Sequence, residues 1–444
     1  MPDQTKAPST SPPSPPSAPF MPGAGMSVPP ASVPLGFLAA GGVGLIGAGL
    51  AAGLAADTLV KTPTIPGALS AVHVTMLAFL TTAVLGAAHQ FTPVVGRRPL
   101  RSVPAARVTL VGMVLTAWLI PTGFAHGPES LVATGGVIGS LTVLLAAWNL
   151  SSPLAAEGGG VPLAGLRLSI AYLVVTVGFG VVYAFNRRHF WFPLLPNRVL
   201  AHAHLGLLGW LGLTYVAVAE KLWPMFLLAH RPKARAGAWA VGLIAGGVAA
   251  LALGLLFAVR PLAWGGAVVV AAGLACHLAS LVGVVRVRRR RLELLHAYLF
   301  TSAGFLVAAG ALALGSELAG DTALRYRLVS AEVAALAAWL GLAVIGHAHK
   351  IVPFISYTAL RARGVTKGPT GKPLLFADLV HHRTAQVTLG AAGSGFAAIV
   401  IGLATGHPSM VAIGGGLLTL AGALVTYNLS AGPRRIVRAQ PPAE

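Results

Sequence analysis

The chain has one cysteine, Cys276, in 444 residues. A single thiol excludes a disulfide framework, a CxxCH haem attachment and an iron–sulfur cluster built within this chain. Any haem would be held non-covalently. Acid is almost as scarce, with 11 Asp and Glu against 31 Lys and Arg. Charged residues make up only 9% of the chain, where soluble domains carry about 25%. The 55% hydrophobic content and a mean hydropathy of +0.78 identify an all-α integral membrane protein. Residues 1–32 lack an apolar run and are rich in Pro and Ser, which predicts a disordered cytoplasmic tail rather than a signal peptide.

What the sequence does have is apolar stretches of about 20 residues, repeated down its length. They predict twelve spans: 34–56, 68–93, 105–124, 129–149, 163–185, 198–226, 236–258, 262–285, 292–315, 328–354, 385–405 and 408–430. Together they form one membrane domain over 33–431, followed by a basic cytoplasmic tail at 432–444. The net charge of +20 tempts a nucleic-acid reading, but its distribution excludes one. The basic residues follow even-numbered spans: Arg97, Arg98, Arg101 and Arg107; Arg231, Lys233 and Arg235; Arg286 and Arg288 to Arg291; Arg361, Arg363, Lys367 and Lys372; Arg434, Arg435 and Arg438. By the positive-inside rule those loops and both termini are cytoplasmic, in the inner membrane of a prokaryote. The lipid bilayer, anionic lipid in particular, is the expected partner.

One helix is used three times. His73 to Pro93, His204 to Pro224 and Val333 to Pro353 align without a gap. A small residue recurs (Ala78, Gly209, Ala338), then an aromatic (Phe79, Trp210, Trp339), then a leucine (Leu80, Leu211, Leu340). The prolines lie about 130 residues apart, room for four spans per copy. The expected architecture is twelve transmembrane helices in three pseudo-repeats of four, each proline marking where its helix leaves the membrane.

Histidines fall in two layers of this bundle. His73, His202 and His204 lie near the outer face; His89, Glu220 and His349 share one repeat position near the inner face. His73 and His89 are about 24 Å apart along a helix, most of the hydrocarbon thickness. Ionisable groups at such depth usually face a bundle interior or cavity. His202 and His204 point about 200° apart around their helix, which suits a wall between two sites. Two neutral imidazoles from separate helices hold a b-type haem iron. Arg187, Arg188 and Arg198 sit in the adjacent outer loop against the positive-inside trend, as partners of haem propionates would. The same imidazoles also suit plain interhelical hydrogen bonding. In the inner layer, His89, Glu220, Lys221, His277, His296, His347, His349 and Lys350 are candidates for a second metal site or a proton route. The alternative there is that Lys221 and Lys350 snorkel to the interface. His381 and His382 read as solvated loop residues.

These residues resemble subunit I of the haem–copper oxidases. His202-Ala-His204-Leu-Gly-Leu-Leu-Gly-Trp210, with Lys221-Leu-Trp-Pro224 after it, is similar to the HxH helix of the C-type oxidases and nitric oxide reductases. His73, Met76 and Phe79 resemble the family's helix-2 haem-ligand motif. The resemblance covers roughly 34–430. It implies one or two haems b, with His73 and His204 as axial ligands and His202 facing a second haem or a metal such as copper. It also implies an electron-donor subunit, a carrier protein or quinol. Two departures stand against the familiar chemistry. The HxH lies on the sixth span rather than the tenth, where Glu332 and Val333 stand instead. The seventh span has no histidine, so the three-histidine copper site is not visible. The expected function is a haem-binding respiratory-type protein, in electron transfer or in divergent oxygen or nitric oxide reduction. The other readings are a transporter coupled to protons or metal through its histidine layers, and an assembly subunit.

Overall fold

The computed structural model describes residues 28–438 apart from 63, 231–234 and 369–370. Most of the N-terminal tail, the last residues of the C-terminal one, and Arg231 and Lys233 lie outside that range. Among the described residues, twelve helices are long and apolar enough to cross a membrane. They are α1 (Ser32–Leu54), α2 (Pro66–Gly96), α3 (Val103–His126), α4 (Glu129–Leu154), α5 (Gly160–His189), α6 (Pro196–Leu227), α7 (Arg235–Leu256), α8 (Arg260–Arg286), α9 (Leu294–Leu318), α10 (Thr322–Ala362), α11 (His382–Thr405) and α12 (Pro408–Leu429). A short basic helix, α13 (Ala431–Arg438), follows. Within each repeat the third and fourth helices form a tight hairpin (α3/α4, α7/α8, α11/α12), and α1 closes the bundle against α12.

Each repeat's second helix is its most buried span. The recurring aromatics are buried there, and two of them fit against the preceding copy's helix. A methyl placed on Gly212 of α6 would lie 3.2 Å from the Trp339 ring of α10. One placed on Gly341 of α10, the aligned position, would lie 3.2 Å from the Phe79 ring of α2. The recurring small residue has its own reason. It lets the first helix of the repeat cross close by: Ala78 meets Gly44 of α1, and Gly209 meets Tyr172 of α5.

The prolines do not end their helices. Pro93, Pro224 and Pro353 all lie inside helix, and α10 runs nine residues past its own to Ala362. A proline removes one N–H, the partner of the carbonyl four residues earlier. That carbonyl belongs in turn to His89, Glu220 and His349, the shared position of the second layer. Near the midplane α2 and α6 also widen to π-helix, over Val74–Thr81 and Leu205–Gly212. The two segments coincide in the repeat alignment to the residue. The Thr82 hydroxyl donates to the Leu77 carbonyl at 2.7 Å and so serves one of the displaced acceptors. The third copy, in α10, is continuous α-helix at the same place.

Candidate functional site

The two π segments begin on the residues after His73 and His204. Each of these imidazoles donates Nδ1–H to the carbonyl one turn earlier: His73 to Leu69 and His204 to Leu200, both at 2.8 Å. The second layer repeats the device. His89 bonds to Leu85 at 2.8 Å, His347 to Ala343 at 2.7 Å and His349 to Ile345 at 2.8 Å. A carbonyl only accepts, so Nδ1 must carry the proton. The neutral ring then turns an Nε2 lone pair away from its own helix, the tautomer a metal-ligating histidine needs. The Nε2 atoms of His89, His347 and His349 are buried with no hydrogen-bond partner.

The first layer is divided between two faces of α6. His202 turns toward α5, where its ring meets the Thr176 backbone and lies 6.0 Å from the Tyr183 ring. Gly180 makes room for it, since a methyl there would lie 3.3 Å from Cε1. His73 lies within electrostatic reach of His202 and packs on Phe124 of α3, ring centroids 5.0 Å apart. His204 turns toward α10, and its Nε2 lies 3.8 Å from Glu332 Oε1. The alignment had set Glu332 aside as the residue standing where a ligand was missing; the fold makes it a partner of His204. Its signal was its type, an acid inside a predicted span.

Two of the three arginines have partners within the chain. Arg187 forms a bidentate pair with Glu129 at 2.8 and 2.6 Å, its guanidinium 5.2 Å from the Phe124 ring centre. Arg198 donates to the Pro193 carbonyl at 2.8 Å and lies over Phe192. Arg188 is exposed at the end of α5. An anion partner was expected for this group, and for Arg187 the structure supplies Glu129.

The second layer is not symmetric. His89 stacks on Phe37 of α1 at 5.3 Å and His349 on Tyr298 of α9 at 5.6 Å, the same contact in the first and third repeats. Glu220, their counterpart, instead lies 3.9 Å from His277 of α8, both side chains fully buried. Tyr215 joins the pair, its ring 5.5 Å from His277 and 6.2 Å from His347. Its aligned positions are Val84 and Val344, and repeat pattern alone does not single it out. Nearer the surface, His296 accepts from the Glu293 N–H at 2.9 Å, and Glu293 pairs with Lys350 at 2.5 Å. Lys221 is exposed. Among the described residues no three His, Cys, Asp or Glu side chains converge as a metal site would require. No family model matches the chain, and no curated protein matches it.

Proposed function

We propose that this chain is a haem-binding membrane protein of respiratory type, serving electron transfer or a divergent oxygen or nitric oxide reduction. The observation that carries the reading is a coincidence of register. Two of three aligned helices bear a histidine whose Nδ1 is tied to the backbone, and each is followed at once by a π segment. The third helix has Val333 and no π segment. π segments are rare and concentrate at functional sites. The tautomer fits an iron ligand, and with one cysteine in the chain the fitting group is a non-covalent haem b. His73 and His204 are each assigned as a haem-iron ligand, with Glu332 a competitor for His204. His202, on the opposite face of α6, is assigned to a second haem or to copper. Haem supplies the electron-transfer chemistry when bound. The chain's part is to fix the imidazole tautomer, hold Arg187 and Glu129 beside Phe124, and keep water from the midplane with Phe79, Trp210 and Trp339. Electrons would come from a donor subunit, a carrier protein or quinol. The basic loops support a cytoplasmic side for both termini, and the inner membrane of a prokaryote is the location that goes with this reading.

The test is the visible spectrum of the purified protein, with a pyridine haemochrome assay and metal analysis on one sample. Reduced-minus-oxidised haem bands are expected, and they should vanish in His73→Ala and His204→Ala. A colourless protein with intact helicity ends the reading.

A second reading, a proton-coupled transporter, is favoured by one observation. Two Glu–His pairs lie along α6, Glu332 with His204 in the first layer and Glu220 with His277 in the second. The aromatic packing at the midplane lies between them and opposes it. Proton movement in liposomes by haem-free protein would decide for the transporter.

A further inference from the structure

Among the described residues the corner where α11 begins is built twice, and one of the two is closed by the chain itself. In the first repeat Ser102 precedes α3. Its N–H donates to Asn149 Oδ1 at 2.8 Å, 47 residues on, and its hydroxyl caps the helix by accepting from the Ala105 N–H at 3.2 Å. Arg101 fills the space alongside: its Nε donates to the Ser151 hydroxyl at 2.6 Å, and its guanidinium lies 5.8 Å from the Trp148 ring centre. In the third repeat His381 stands in the place of Ser102. Its N–H donates to Asn428 Oδ1 at 2.7 Å, again 47 residues on, and its ring stacks on Tyr427 at 6.2 Å. Tyr427 is the counterpart of Trp148.

There the likeness ends. Val380 replaces Arg101, and no side chain caps α11. The result is an open hollow of about 410 Å³ lined by Val380, His381, His382, Arg383, Thr384 and Tyr427. Two imidazoles, a guanidinium and a hydroxyl line the hollow, which lies at the start of α11. This donor set suits a tetrahedral oxyanion. Val387, one turn further into the span, and Tyr427, in the lining itself, present exposed surface, 58% and 57% accessible. Arg434 and Arg438 are exposed on α13, which follows α12 directly.

We propose that this hollow binds the phosphate of an anionic phospholipid, with the acyl chains lying against α11 and α12. The apolar flank is what favours a lipid over free phosphate. Basic pockets between membrane helices hold anionic headgroups by this chemistry. The site needs no haem, so it and the haem reading fail separately.

The experiment titrates the full chain in detergent with phosphatidylglycerol, phosphatidylcholine or inorganic phosphate. Bound lipid is counted by native mass spectrometry, and the unfolding midpoint is followed in parallel. Phosphatidylglycerol should bind and raise the midpoint; phosphatidylcholine and millimolar phosphate should do neither. Arg383→Gln and His382→Gln, both at exposed positions, should each weaken phosphatidylglycerol binding by about tenfold, the scale of one lost charge-assisted hydrogen bond. Arg101→Gln, in the closed corner, should leave it unchanged. Wild-type affinity in both α11 variants, equal binding of phosphatidylcholine, or equal protection by inorganic phosphate would each overturn the proposal.

Discussion

The first two repeats and the third share a scaffold and differ in what the scaffold carries. In α2 and α6 a Pro opens the helix (Pro66, Pro196), a histidine comes at the end of the first α-helical stretch, and a π segment follows. In α10 the helix opens earlier on an Asp321 cap, Val333 stands in place of the histidine, and the backbone stays α-helical. The buried aromatic and the small residue before it are present in all three. Packing therefore does not require the histidine or the π segment, since the third repeat packs without either. What distinguishes the first two repeats is chemistry placed on a frame that is stable without it.

Loss of cofactor is the largest effect that could break this contrast. His73→Ala and His204→Ala should abolish haem binding, whereas His349→Ala, in the third repeat, should leave the first-layer spectrum in place. Equal loss in all three variants would dissolve the distinction between repeats. Glu332→Gln should sharpen it. Removing the carboxylate frees His204 Nε2 from its neighbour, so the reduced-minus-oxidised band should persist with a shifted midpoint potential. A spectrum and potential identical to wild type would show that the 3.8 Å approach of Glu332 has no bearing on His204.

Packing effects come next. Gly44 of α1 faces the backbone of Ala78 inside the first π segment, and Gly209 in the second faces the Tyr172 ring of α5, so small and large are exchanged between copies. Gly44→Ala and Gly209→Ala should each destabilise by about 1–3 kcal/mol through overpacking, read as a lower unfolding midpoint in detergent. Gly178, on α5 with open space beside it, is the control that should tolerate alanine. In the third repeat Tyr298 does what Phe37 does in the first and adds a bond, its hydroxyl donating to the Ala385 carbonyl at 2.6 Å. Tyr298→Phe makes the third repeat like the first and should cost about 1 kcal/mol. An unchanged midpoint would mean that the α9–α11 contact does not depend on that bond.

The number of spans, their approximate limits and the threefold frame were legible because they rest on composition and on an ungapped repeat. Both survive without knowledge of side-chain direction. The recurring Ala78, Gly209 and Ala338 were legible as a pattern, and the close passage of α1 and α5 gave the pattern its cause. Three things were not legible. The prolines read as marking where each helix leaves the membrane, and that the helix runs on past each of them, the lost bond falling on a carbonyl of the second layer, is not part of that reading. The π segments leave no mark in hydropathy, because one extra residue per turn does not change an all-apolar run. The pairing of Glu332 with His204 and of Glu220 with His277 depends on how α8 and α10 rotate against α6, and an almost uniformly apolar helix gives no periodicity from which to read that rotation.

The smallest effect lies at the start of α10, where the third repeat dispenses with proline. Asp321 is solvent-exposed, and its carboxylate accepts from the Leu324 N–H at 2.8 Å. That bond, with help from neighbouring N–H groups, holds the Asp321 carboxyl below its ordinary value of 3.8. A carboxyl depressed in the folded state stabilises the fold above its unfolded pKa, and the contribution fades as pH falls through the folded value. The window therefore opens near pH 4 and extends downward from there. Asp321→Asn keeps the capping geometry and removes the charge. It should match wild type near neutral pH to within a small margin and lack this one acid-side slope. Amide hydrogen exchange at Thr322 to Arg325, compared at pH 3 and pH 6, reads the effect locally. Wild-type protection that stays flat across that range would show that the cap does not fix the early start of α10, leaving the helix's opening to the packing of its buried face.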